Sequence, residues 1–231
     1  MPANTSAEKR KLIELLLEKK GLNRSSSNAI PQAKAVGDSY PLSFAQQRLW
    51  FLDQLDPGIP LYNIPTFIRL RGQLNLTALE KTFNEIVSRH KVLRTTFSIR
   101  DGQPVQVIAP ASPKLFSVVD LSELPSAERE SEAKRLADRE AVQRFDLSRG
   151  PLLRVCVVCL SPEDYILLFT MHHIISDAWS MGVLVREVVS LYEAFVAGQS
   201  SPLPPLTIQY ADYAVWQRER LNGEAFEQQV A

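Results

Sequence analysis

The sequence predicts an α/β fold, with a mixed β-sheet core packed with helices. Three observations carry this expectation. Two nearly continuous apolar runs, LLRVCVVCL and YILLFTMHH, are separated only by the turn SPED, as suits paired strands buried on both faces. LRTTFSIR and PVQVI flank Asp101-Gly102, a tight-turn pair, so residues 93–109 read as a hairpin. Around these lie segments with apolar residues at helical spacing. With 231 residues, 45% of them hydrophobic and 23% charged, the chain can bury one substantial core or two small ones.

In chain order, residues 6–20 read as a short helix: Ser6 as N-cap, an apolar face of Leu12, Ile13, Leu16 and Leu17, and Gly21 as its stop. It is either a docking element or a solvated leader. Residues 22–38 are polar and lack either period, so 1–38 form a helix and linker ahead of a main unit, 39–231. That unit opens on PLSFAQQRLWFLDQL, where Phe44, Leu49, Trp50, Leu52 and Leu55 define a first core helix. A strand over Asn63–Arg71 ends at Gly72, and Leu79, Phe83, Ile86 and His90 mark an amphipathic helix capped by Asn75 or Thr77. After the hairpin come a strand at Leu115–Val119 and, past Pro125-Ser126, a charged helix whose acid–base pairs sit at helical spacing. The two apolar runs follow as the centre of the sheet. Next, SMGVLVREVVSLYEAFVAG reads as a helix burying Val183, Leu184, Val188, Leu191, Tyr192 and Phe195, closed by Gly198. SPLPPL is a linker or extended arm, and a last helix starts near Tyr210.

Lysine and arginine number 26, as do aspartate and glutamate, so no net field favours nucleic acid or an anionic membrane. The start MPANTSAEKRKL has no signal-peptide apolar core and no later stretch is long enough to span a bilayer, which points to a cytoplasmic protein. Cys156 and Cys159 form a C-x-x-C, but residues three apart on a strand face opposite ways, so they read as core cysteines and not as a redox pair or half a zinc site.

His172 and His173 leave the end of a buried strand, so one imidazole can face a cavity while the other packs inward. Imidazole transfers protons near neutral pH, and a strand end fixes its backbone. Asp177 lies where the next helix begins. It is either part of the site or only that helix's N-cap, with Ser176 and Ser180 as rivals for the cap. No metal centre is expected: the adjacent histidines diverge, which leaves one of them and a carboxylate without a clear third ligand, and His90 is remote in sequence.

MHHIISDAWS, residues 171–180, resembles the HHxxxDGWS signature of condensation domains in nonribosomal peptide synthetases, within the chloramphenicol-acetyltransferase-like superfamily. LSFAQQRLWFL (42–52), SRHKVLRTTF (88–97), FDLSRGPLLRV (145–155) and YADYAVW (210–216) resemble further motifs of that family, in the right order. The resemblance implies a chloramphenicol-acetyltransferase-like lobe and an acyltransferase forming an amide. The donor would be an acyl or peptidyl thioester and the acceptor an aminoacyl thioester, both carried on phosphopantetheine arms of partner proteins. No cofactor bound by this chain is implied. The implied partners are upstream and downstream peptidyl carrier proteins and an adjacent adenylation domain. By position His173 is the implied catalytic residue, either as general base or as the group that orients the amine and stabilises the tetrahedral charge. His172 is implied to be its inward structural partner. Asp177 matches an aspartate that pairs with an arginine, Arg89 as first choice and Arg94 as second, and breaking such a buried pair is expected to cost about 3–5 kcal/mol. Trp50 and Trp179 are expected to pack in core or loop, Ser180 to support the site, and Tyr210, Asp212 and Trp216 to be non-catalytic.

Two departures stand out. Ala178 replaces the glycine usual after the aspartate, and its methyl is expected to narrow the backbone and the substrate channel. The family also has two similar lobes totalling roughly twice this length, so the second lobe is expected to be absent, and the isolated piece inactive for want of half the tunnel wall. With Met1 as apparent start, the donor is expected from a separate polypeptide or as a starter acyl group. HHxxxDAWS fits ordinary condensation better than cyclising or epimerising subtypes. The alternatives are a freestanding acyltransferase of the same superfamily and a non-catalytic module recruiting carrier proteins or tailoring enzymes.

Overall fold

The computed structural model describes residues 29–35, 39–110 and 116–221. The helix expected over 6–20 and the chain after Leu221 lie outside these. Two units are distinguished, Met1–Pro31 and Gln32–Ala231, and the architecture below is that of the second.

Its elements, in chain order, are β1 (Ser39–Pro41), α1 (Phe44–Leu55), β2 (Asn63–Arg71), α2 (Leu76–Arg89), β3 (Thr95–Arg100), β4 (Gln103–Ile108), β5 (Phe116–Asp120), α3 (Ser126–Val142), β6 (Leu153–Ser161), β7 (Asp164–His172), α4 (Ala178–Val196) and α5 (Tyr210–Leu221). Two sheets form instead of one. The small sheet runs β1-β4-β3, all antiparallel, and the larger runs β2-β7-β6-β5. In the larger sheet β7 is antiparallel to β2 and β6, while β5 is parallel to β6, so the sheet is mixed. The two apolar runs are its central strands, as their continuous hydrophobicity requires. Asp101 and Gly102 both have positive φ, 50° and 75°, the twist a two-residue hairpin turn needs between β3 and β4.

Alternation along β6 divides the core. Leu153, Val155 and Val157, with Leu167, Phe169 and Met171 of β7, meet Leu79, Phe83 and Ile86 of α2 and Leu184 and Leu191 of α4. On the other face Val158, Leu160 and Leu168 meet Ala133, Leu136 and Ala137 of α3. Each fully buried Leu, Val or Phe contributes about 1.5–3 kcal/mol, so the α2/α4 face, with far more of them, dominates the cohesion. Cys156 packs with the α3 cluster and Cys159 with the other, so the thiols sit on opposite faces and are unpaired. Burial raises the pKa of both, keeping them as protonated core thiols. No helix among the described residues is long and apolar enough to cross a membrane.

Three expectations need correction. The buried seam of α1 is Gln46, Leu49 and Asp53, whereas Phe44 and Leu55 are exposed. Hydrophobicity misassigned this face because its polar residues are consumed by backbone groups: Gln46 Oε1 accepts from Ser43 N–H at 3.0 Å and Asp53 Oδ1 from Gly58 N–H at 2.8 Å. Helix α4 begins at Ala178, two residues before the expected Ser180. Residues 32–33, placed in the linker, are held by the folded unit, since Gln32 Nε2 donates to the Thr207 carbonyl and Ala33 N–H to Asp212 Oδ1, both at 2.8 Å. Partners some 175 positions away leave no local pattern to read.

Asn63, at the start of β2, donates from Nδ2 to the carbonyls of Ala141 (2.8 Å) and Gln143 (3.0 Å), stapling the end of α3 to the sheet.

Burial raises the pKa of the Asp53 carboxyl above its ordinary value, opposed by the Gly58 hydrogen bond and reinforced by Asp146 and Asp56. The folded state therefore holds this proton more tightly than the unfolded one, and the carboxylate becomes a liability as pH rises from the unfolded value through the folded one. Asp53→Asn keeps an acceptor for Gly58 N–H without the charge. Urea denaturation at pH 7 is expected to show the variant at least as stable as the native chain, with any advantage vanishing below the unfolded carboxyl pKa.

Candidate active site

The site is built at the carboxyl end of β7. The last pair of its register with β2 is Asn63↔His172, and His172 N–H donates to the Leu152 carbonyl on the other side at 3.0 Å. One residue on, His173 N–H turns back to the Tyr62 carbonyl at 2.8 Å. Successive amides thus bond to opposite neighbours as the strand gives way to a turn at 173, and the two imidazoles part, His172 buried and His173 exposed.

His172 is 2% exposed and packs against Tyr62 and Phe145, with ring centroids 6.2 and 6.0 Å away. Its Nδ1 accepts from Ile174 N–H at 3.1 Å, which places the ring proton on Nε2. Burial, with repulsion from His173 second, lowers its pKa from 6.5 to about 4, so it is neutral at physiological pH. Its acceptor nitrogen is committed to the turn that follows.

His173 is exposed. Its Nδ1 lies 2.7 Å from the Ser176 carbonyl, and because a carbonyl only accepts, Nδ1 carries a proton, so that in the neutral ring the lone pair is on Nε2. The turn that supplies this carbonyl is fixed by Ile175 N–H to the His172 carbonyl at 3.0 Å and by burial of Ile174 and Ile175 in the main core. HHIISD therefore presents one ring outward on a loop whose middle is anchored by two isoleucines. The Ser176 and Tyr62 carbonyls were not foreseen, since main-chain acceptors carry no residue signature; the apolar Ile174-Ile175 pair was the available clue.

Asp177 is the N-cap of α4. Its Oδ1 accepts from Ser180 N–H at 2.8 Å, and its own N–H donates to Ser180 Oγ at 2.7 Å, a reciprocal capping box. The Ser180 amide above all, then its hydroxyl, the Trp179 amide and the charge of His173 hold this carboxyl below its ordinary pKa. Ser180 is the other half of that cap.

The expected arginine pairing is not formed. Arg89 Nε donates to Glu187 Oε1 at 3.3 Å and its Nη1 to the Pro204 carbonyl at 2.6 Å, while His90 Nε2 lies 2.6 Å from Glu187 Oε2. Glu187 stands ten residues beyond Asp177 on α4, about 15 Å along the helix, so α2 meets α4 well past its cap. Arg94 Nη1 donates to the Ala109 carbonyl across the base of the β3–β4 hairpin. Asp177 is exposed, which removes the reason to expect a buried ion pair. Two further expectations change. Trp179 is 83% exposed and packs in neither core nor loop. Ala178 does not have the positive φ at which glycine is favoured; Asp101 is the sole described non-glycine residue that does, so the methyl at 178 imposes no backbone strain. Tyr210, at the start of α5, places its hydroxyl 2.9 Å from Ser43 Oγ and is close enough for the Asp177 charge to raise its pKa, burial being the larger cause. Among the described residues no group of three His, Cys, Asp or Glu side chains could hold a metal ion.

Two outcomes are expected. In an NMR titration the His172 ring stays neutral down to about pH 5, and because its folded pKa lies below the unfolded value of 6.5, stability is lost as pH falls between the two. A ring titrating near 6.5 would contradict the burial argument. Asp177→Ala loses a cap, costing about 1 kcal/mol in chemical denaturation, with Asp177→Ser recovering most of it. A loss above about 3 kcal/mol would instead require a buried charged partner.

The condensation domain model matches residues 36–231. One polypeptide of the linear gramicidin synthase of Brevibacillus parabrevis is 52% identical over 190 residues, 82% of this chain and 4% of that protein. Another polypeptide of the same synthase is 46% identical over 227 residues, 98% of this chain and 3% of the relative. Among solved structures, the X-domain in its complex with OxyB from teicoplanin biosynthesis superposes with a TM-score of 0.74 at 32% identity, covering 87% of this chain and 42% of that one. The chain therefore spans a few per cent of the curated relatives' length and less than half of the structural neighbour, and its fold is the chloramphenicol-acetyltransferase-like one of those neighbours. A match over most of the chain, with an outward imidazole after a central strand and a capped helix behind it, makes this chain a member of the condensation domain family.

Proposed function

We propose that residues 39–231 are the amino-terminal lobe of a domain that forms amide bonds in nonribosomal peptide assembly, preceded by a segment, 1–38, whose residues 32 and 33 are tied to that lobe. The observation that carries this reading is His173: an exposed ring whose Nδ1–H is held by the Ser176 carbonyl, leaving Nε2 as a free acceptor. The donor is an acyl or peptidyl thioester and the acceptor an aminoacyl thioester, each on the phosphopantetheine arm of a carrier protein, with an adenylation domain nearby to load the acceptor. The acceptor nitrogen attacks the thioester carbonyl carbon, the tetrahedral intermediate collapses with cleavage of the carbon–sulfur bond, and an amide and a free thiol result. His173 Nε2 takes the proton that the nitrogen sheds and returns it to the departing sulfur, and its placement orients the amine. Asp177, Ser180 and His172 act on the ring's position and not on substrate: the first two fix the start of α4, the third holds the turn through Ile174 N–H.

Matching less than half of a structural neighbour supports a further part of the reading, that the opposite wall of the reaction channel comes from sequence outside this chain. Exposed Trp179 then faces that wall, and the isolated chain turns over no substrate. Neutral net charge and protonated core thiols suit a cytoplasmic setting with protein-borne substrates.

A second reading, recruitment of another protein without catalysis, is favoured by one observation, the similarity to an X-domain solved in complex with OxyB. The experiment that separates the two supplies the complete parent protein with both loaded carrier proteins and measures dipeptide by mass spectrometry. The native protein is expected to form product and His173→Ala to lose roughly 10²–10⁴-fold in rate, the span of general acid–base catalysis. Product at equal rates from native and variant would remove His173 from the chemistry, and none from either would favour the recruitment reading.

A further inference from the structure

The YADYAVW segment contains a buried carboxylate that the condensation reading does not use. Asp212 is 8% exposed, and its two oxygens are divided between two distant stretches of backbone. Oδ2 accepts from Gln209 N–H at 2.6 Å, closing the first turn of α5, and Oδ1 accepts from Ala33 N–H at 2.8 Å. Gln32 adds a second tie, from its amide to the Thr207 carbonyl at 2.8 Å. The same short stretch is itself held: the Gln209 amide donates to the Arg89 carbonyl at 3.0 Å and its oxygen accepts from Lys91 N–H at 2.9 Å, while Tyr210 reaches Ser43 at the α1 cap. Residues 207–212 are therefore a rigid post, and residues 32–33 are tied to it.

From this we infer that Asp212 is an anchor for the chain's own amino-terminal segment, so that whatever precedes residue 32 is presented from a fixed point beside α5. The anchor moves the first fixed residue of the lobe from Ser39 back to Gln32, seven residues that would otherwise add up to about 25 Å of extended reach. Hydrogen bonds from main-chain amides to a largely buried carboxylate are among the stronger ones available to a surface segment, and QAKAVG offers only two alanines and one valine with which to dock by other means. The partner that benefits is a donor carrier protein held through the amino-terminal segment. This delivery role rests on the condensation reading, whereas the anchor does not.

Hydrogen exchange tests the anchor without turnover. In the intact chain the Ala33 amide is expected to exchange at least about tenfold more slowly than its unstructured-peptide rate, as one charge-assisted bond allows. Exchange at the free-peptide rate overturns the anchor. Gln32→Ala with Ala33→Pro removes both donors while leaving Asp212 and the α5 cap untouched, and is expected to speed tryptic cleavage after the exposed Lys34 at least about tenfold, with unchanged exchange protection in β6 and β7. Unchanged cleavage after Lys34 overturns it as well. For delivery, the complete parent protein is supplied with a loaded donor carrier either fused ahead of Met1 or added free. The double variant is expected to change the fused rate at least threefold and the free rate not at all; equal effects on both overturn the delivery role. Absence of product from native protein on both arms would count against the condensation reading, with the exchange result standing on its own.

Discussion

Strand β7 is the member on which the rest of the structure depends. It is paired along its whole length on both sides, to β2 and to β6, and both apolar faces of the sheet are built on it. A one-residue slip in either ladder would send Leu167, Phe169 and Met171 to the α3 face and Leu168 to the other, exchanging two clusters of different size. Register is therefore fixed by packing far from the site. Because the ladder ends at Asn63↔His172, the same packing decides where position 173 emerges.

From that point, desolvation assigns opposite characters to two identical side chains. His172, enclosed by Tyr62 and Phe145, loses its affinity for a second proton and uses its remaining acceptor on a main-chain amide. His173, one residue later and on the other side, keeps a ring nitrogen open to solvent. The helix behind them is capped by a neighbouring carboxylate and hydroxyl, with no long-range ion pair involved. The turn that aims His173 thus draws on local hydrogen bonds and two buried isoleucines.

Sequence patterns were most informative where burial is regular. The strand over Asn63–Arg71 and the Asp-Gly hairpin appear as expected, since alternation, Gly72 and the Asp101-Gly102 pair express their geometry directly. The face of α1 was misread because hydrophobicity cannot reveal that the side-chain oxygens of Gln46 and Asp53 accept from backbone amides. Within the site, strand alternation accounts for the opposite placement of His172 and His173, while the resemblance supplied which of the two faces outward. The partner of Asp177 did not: a resemblance supplied an arginine, while the N-cap alternative, available from helix chemistry alone, describes the bond that forms. The carbonyls of Tyr62 and Ser176, and the tie between Ala33 and Asp212, were invisible because main-chain groups have no side-chain identity and their partners are remote or conformational.

The staple made by Asn63 joins two regions that differ in their resistance to opening. Helix α3 covers its sheet face with a small cluster and is otherwise lined by exposed ion pairs such as Lys134–Asp138 and Arg135–Glu132, worth little in water, so it belongs to the less cohesive part of the lobe. Its final carbonyls nevertheless grip the residue that stands opposite His172. Fraying of a solvent-facing helix thus has a one-side-chain route to the mouth of the sheet, and ligands or crowding that quiet α3 would sharpen the aim of an imidazole on the far side.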